Sequence, residues 1–172
     1  EVHFITSSLP LRLKHYEQNI FFHQVEAVSY PVFQHTPYTL ALATKMSEVT
    51  EEYGVDILHV HYAIPHAASA FLAQEMVGRD AVKVVTTLHG TDITLVGQEP
   101  GYFAMTRFLI ERSDAVTTVS TFLRDETVRV FGVSRHIEVI PNFVESRRFR
   151  PRHDLDRTCL AAADEKIVVH AS

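Results

Sequence analysis

Six short runs rich in β-branched and apolar residues punctuate the chain, at Val2 to Thr6, Asn19 to Glu26, Asp56 to Tyr62, Val82 to Leu88, Ala115 to Val119 and Ile137 to Ile140. Helical patterning fills the longer gaps, and no hairpin signature joins any two runs. Strand alternating with helix leaves an α/β class built on a doubly wound parallel sheet. Right-handed crossovers then bring all strand ends to one edge. The helices are predicted from Thr36 to Gly54, with Pro37 in the first turn and Leu40, Ala43, Met46 or Ser47, and Thr50 on the core face, then at Ala67 to Met76, Tyr102 to Arg112 and Phe122 to Phe131. Thr121 is expected to cap the last of these, with Asp125 and Glu126 near its positive end.

The run Val84-Val85-Thr86-Thr87-Leu88 shows no clean alternation, so both of its faces are expected to be covered. It stops abruptly at His89-Gly90-Thr91-Asp92. Open parallel sheets bind ligands in the crevice outside the carboxyl ends of their strands, and Gly90 permits a tight turn or a close approach there. His89, Thr91 and Asp92 are therefore site candidates.

A chain of 172 residues with 46% hydrophobic and 22% charged residues has room for one globular domain, or one domain and a piece of another. No apolar run approaches the roughly 20 residues that span a bilayer. A net charge of -5 argues against a general nucleic-acid surface. An anionic ligand then needs a local cation or backbone amides. The lone cysteine, Cys159, excludes an intrachain disulfide and fits a reducing cytoplasm, where a partly buried and inert thiol is expected. Both ends look cut through secondary structure, so a fragment of a longer protein is expected. Arg147 to Arg152 reads as a linker, and Ile167 to His170 as the opening of a second sheet.

His59 and His61 lie two apart on one strand, hence on one face, and His89 ends a neighbouring strand. A metal-dependent hydrolase using these three is one alternative, but no cysteine, further histidine or carboxylate cluster completes a ligand set. A non-catalytic α/β interaction module, with no pocket at the strand ends, is another. Ser120 lacks a G-x-S-x-G elbow, and neither G-x-G-x-x-G nor G-x-x-x-x-G-K-[ST] occurs. Arg107 lies on the helix before the Ala115 run and is expected to project toward the same edge.

The blocks His59-Val60-His61-Tyr62-Ala63-Ile64-Pro65-His66, Thr86 to Thr94, Ser113 to Ser120 and Ile140-Pro141-Asn142-Phe143-Val144 resemble, in wording, order and spacing, those of the family-4 retaining glycosyltransferases. The resemblance implies a GT-B enzyme of two Rossmann-like domains facing a cleft. It is strongest toward members that move N-acetylglucosamine from UDP-N-acetylglucosamine to the hydroxyl of L-malate, the first step of bacillithiol biosynthesis; another family-4 transferase with a different small acceptor, such as an inositol phosphate or a lipid-linked sugar, is the alternative. Residues 1–146 would be the N-terminal, acceptor-side Rossmann-like domain, without its first strand and glycine-rich loop. Residues 147–172 would be the linker and first strand of the donor-binding domain. The fragment alone would be inactive.

Matched residue by residue, the resemblance places Tyr62, Thr91 and Arg107 at the acceptor, the last as a guanidinium for a carboxylate. It places His89, Asn142 and Ser120 toward the donor, with His89 as the catalytic-site histidine and Asp92 as a group that orients the turn. It further implies transfer with retention in which the leaving diphosphate takes the acceptor proton, with no protein nucleophile, no cofactor beyond the sugar nucleotide, and no metal. Nucleic acid and membrane are not expected as partners, and a homo-oligomer is left open.

Overall fold

The computed structural model describes residues 1–172 apart from 12, 14–17, 152–157, 163 and 171–172. The chain divides into two compact units, Glu1–Pro141 and Asn142–Ser172. In the first, β1 (Val2–Thr6) and β2 (Ile20–Gln24) form one two-stranded sheet. The strands β3 (Ile57–His61), β4 (Lys83–Leu88), β5 (Ala115–Thr118) and β6 (Ile137–Val139) form a second sheet in chain order. Every pairing is parallel, as the alternating pattern requires. Between them run α1 (Tyr38–Tyr53), α2 (His66–Val77), a single turn α3 (Thr91–Thr94), α4 (Pro100–Arg112) and α5 (Thr121–Phe131).

Chain order across the larger sheet decides where the core lies. Successive right-handed crossovers that step in one direction put their helices on one face. Leu58, Val60, Val84, Thr86, Leu88, Val116, Thr118 and Ile137, which share that face by register, are all buried. Two apolar clusters form beneath them: one joins Leu42, Met46 and Leu109 to β3 and β4, the other joins Ile93, Ile110, Leu123 and Phe131 to β4, β5 and β6. The opposite face carries Ile57, His59, His61, Lys83, Ala115 and Glu138, all exposed, with Val85, Thr87 and Thr117 half-buried. The expectation that both faces of β4 are covered is therefore corrected. Among the described residues β4 alternates buried and open, because no helix of this unit steps the other way.

Other local expectations are adjusted by packing. Leu40 turns outward, 58% exposed, and Leu42 takes its place in the core at 3%. Ser120, not Thr121, caps α5, its hydroxyl accepting from Leu123 N at 3.2 Å. Asp125 and Glu126 lie beyond the first turn of α5 and pair instead with Arg124 and Arg129.

The outer edges of β1 and β3 face a cavity of about 870 Å³, floored by Leu42, Met46 and Val49 of α1. Among the described residues each of these two strands has a single hydrogen-bonded neighbour, so its other edge is unpaired there. In the second unit Glu145 O accepts from Arg148 N and Phe149 N at 3.0 and 2.9 Å, closing one turn. Ile167–His170 carries no strand, since an extended segment becomes one only against a partner's backbone groups and none is supplied there. Cys159 is exposed rather than partly buried. Arg152 of the expected linker and the last two residues, 171–172, lie outside the described residues.

Candidate functional site

The carboxyl ends of β3 and β4 meet in a cluster of polar rings. Register pairs His61 with Thr87, and Thr87 O accepts from Tyr62 N at 2.9 Å, so the two chains leave the sheet side by side. Tyr62 then turns with φ 74, a left-handed conformation that a bulky L-residue adopts only where its surroundings enforce it. Its ring lies 5.0 Å from that of His89, centroid to centroid. His61 stands between neighbours on both sides: its ring is 4.9 Å from His59 and 5.0 Å from His89, and its Nδ1 lies 2.7 Å from His89 Nε2. His59 Nε2 is 2.8 Å from Thr87 Oγ1, which lies 2.7 Å from Thr117 Oγ1, so a polar track runs across the open face from β3 to β5.

Asp92 holds the two strand ends together. It is 2% exposed, and its Oδ2 accepts from Ala63 N at 2.9 Å while Oδ1 accepts from Gly90 N at 3.0 Å and His89 N at 3.2 Å. One carboxylate thereby fixes the turn after β3 to the turn after β4. Gly90 at φ 135 makes that turn in a conformation closed to side-chain-bearing residues, and its carbonyl accepts from Ile93 N and Thr94 N at 2.8 and 2.7 Å, which starts α3. Thr91, the first residue of α3, is exposed beside His89. Gly97 packs so tightly against this turn that a Cβ would stand 2.0 Å from Asp92 O.

Burial lowers the proton affinity of His59, and the neighbouring His89 lowers it further. His61 is lowered by burial first and then by His59, His89 and His66. His59 and His61 are thus biased toward the uncharged form near neutrality, with ring nitrogens that give and take hydrogen bonds rather than carry charge. Among the described residues no group of three or more His, Cys, Asp or Glu side chains is placed to hold a metal ion. His61, His89 and His59 direct nitrogens at one another and at Thr87.

The structure brings Tyr62, His89, Thr91 and Asp92 together. Ser120 follows the neighbouring strand β5 on the same edge, with its hydroxyl already accepting the cap bond. Arg107 is exposed and makes no hydrogen bond or ion pair among the described residues. It sits about 10 Å along α4 from its N-terminus, on the stripe of Phe103, which stacks on Phe131 of α5 at 5.0 Å. Asn142 belongs to the second unit. Residue spacing did not anticipate that His66 Nδ1 would lie 2.7 Å from His61 O, or that Thr87 and Thr117 would join the track. The period-two register of neighbouring strands was the available signal for the latter.

Among the described residues no helix is long and apolar enough to cross a membrane. Residues 1–148 match the model of Glycosyltransferase Family 4. The chain is 48% identical over 174 residues to N-acetyl-alpha-D-glucosaminyl L-malate synthase of Bacillus anthracis, a match that covers 100% of this chain and 45% of that protein. The chain thus spans less than half the length of the relative.

Proposed function

Because this chain belongs to glycosyltransferase family 4, we propose that the full-length protein is a retaining transferase that moves N-acetylglucosamine from UDP-N-acetylglucosamine to the hydroxyl of L-malate. The observation that carries this reading is the 48% identity, sustained over the whole chain, to a protein named for that product. The strand-end cluster supports it, because aromatic and imidazole rings with hydrogen-bonding nitrogens and a phenol suit a sugar. A reaction in which the leaving diphosphate takes the acceptor proton needs positioning and charge stabilisation more than a protein nucleophile.

In this reading Tyr62, Thr91 and Arg107 hold malate, and the Arg107 guanidinium binds one carboxylate in fork geometry. His89 meets a hydroxyl of the transferred sugar. Ser120 and Asn142 stand on the donor side, and Asp92 keeps His89 and Tyr62 in their relative places. No metal is given a role. The setting is the cytoplasm, where the exposed Cys159 stays reduced.

The cavity between β1 and β3 has the size of one further parallel strand. A strand occupies about 4.8 Å across the sheet, 3.3 Å along it and 10 Å through it per residue, so five residues fill roughly 800 Å³. The cavity measures about 870 Å³. Such a strand would join the two sheets into one and pair both open edges.

The test is an assay of the full-length protein with UDP-N-acetylglucosamine and a panel of hydroxy acids. Malate is expected to be the preferred acceptor. A charge-assisted pair of hydrogen bonds contributes about 1.5–3 kcal/mol, so Arg107→Ala is expected to raise the KM for malate roughly 10- to 150-fold, leaving donor affinity near its original value. Equal losses for both substrates would remove Arg107 from the acceptor site. No transfer to any hydroxy acid would overturn the reaction.

A further inference from the structure

His61 and His89 meet side chain to side chain at the strand ends, 2.7 Å from His61 Nδ1 to His89 Nε2. Facing ring nitrogens at this distance hold one proton between them, so one ring donates and the other accepts. Of the two, His61 is the fixed member. It ends β3 in register with Thr87, its carbonyl accepts a hydrogen bond from His66 Nδ1 at 2.7 Å, and its ring is stacked on His59 at 4.9 Å. His89 lies just past the end of β4, and Tyr62 flanks its ring at 5.0 Å.

We propose that His61 is a positioning residue for His89: by engaging Nε2 it turns Nδ1 of His89 toward the ligand and ties the tautomer there to its own. This rests on the transferase reading for the ligand's being a sugar hydroxyl, and goes beyond it by giving the second histidine of His59-x-His61 a task. A hydroxyl both donates and accepts, so a ring free to exchange tautomers would bind it in two ways. A locked ring binds it in one and loses less freedom on binding.

The ionisable groups facing the pair are His59 on the same strand, His66 on α2 and Tyr62 on the turn. Among the described residues no carboxylate, lysine or arginine pairs with either ring. Burial and the neighbouring imidazoles depress the proton affinity of His61. The shared-proton arrangement gives way at acid pH, once both facing nitrogens carry a proton.

The experiment compares wild-type full-length protein with His61→Asn, whose amide can stand where Nδ1 stood, and His61→Phe, which keeps a ring for stacking and removes the nitrogen. With histidine labelled in 15N, the ring-nitrogen shifts of His89 report its tautomer without any substrate. A single tautomer is expected in wild type and in His61→Asn, and a mixture in His61→Phe. In turnover, His61→Phe is expected to lose about tenfold in kcat/KM for the sugar nucleotide, the worth of one hydrogen bond, and to change the acid limb of the pH profile. His61→Asn is expected to restore most of the loss. A tautomer mixture already present in wild type, or equal losses in both variants, would overturn the assignment. Failure of the malate reaction would leave the labelled-histidine result standing, so the two readings fail separately.

Discussion

Asp92→Asn isolates the carboxylate that ties the two strand ends together. The replacement has the same shape and keeps one acceptor oxygen, but the other position becomes an NH2 group. If the oxygen stays on the His89 and Gly90 amides, the NH2 faces Ala63 N–H, donor against donor, at a residue that is 0% exposed. The lost bond is one to a charged acceptor in a buried place, about 1.5–3 kcal/mol, and no water can replace it. Local opening at the β3 end then costs about 2 kcal/mol less, and the Ala63 amide should exchange with solvent deuterium roughly 30 times faster. Asp92→Ala removes all three bonds and is expected to cost about 3–5 kcal/mol, near the upper end for single substitutions. The assay is native-state hydrogen exchange on the full-length protein, resolved at Ala63, His89 and Gly90. Ala63 exchange within about threefold of wild type in Asp92→Asn would show that the carboxylate does not hold the two turns together.

Gly97→Ala should destabilise the same region by at least about 2 kcal/mol, because the new methyl meets a backbone oxygen that cannot move without dragging the turn. A Cβ there would stand 2.0 Å from Asp92 O and 3.0 Å from Thr106 Cγ2. Unchanged urea midpoints would refute the close packing. The histidine cluster predicts a pH dependence of fixed sign. His59 and His61 bind protons more weakly when folded than when unfolded, so the native state holds fewer protons. Their contribution to stability is complete above the free-imidazole value of about 6.5 and is lost as pH falls through their lower folded values. Unfolding midpoints between pH 7.5 and 5 should fall less steeply in a His59→Gln, His61→Asn double variant than in wild type. Parallel slopes would disprove the coupling.

The division between what was legible in the sequence and what was not follows the range of the interactions. Strand identity, helix starts near Thr36 and Thr121, and stops at Gly54 and Gly132 arise from residues a few positions apart, and those features recur in the structure with shifts of a residue or two. The His89 to Asp92 turn was legible for the same reason, since Gly90 and a following carboxylate make a local turn chemistry. Leu40 failed because helical spacing selects a face but not its centre, which the neighbouring α2 decides.

The sequence by itself determined the α/β alternation, the edge at which the polar residues collect and the family, because each is written in local pattern and block wording. Only the tertiary structure decided that Asp92 would accept from Ala63, that His61 would meet His89, and that one face of β4 would stay open. The residues paired in the first two contacts lie nearly thirty positions apart and come together through the register of β3 against β4. The open face follows from the direction in which successive crossovers step. Register and direction are properties of how elements are placed against each other, and no window of residues along one element contains them.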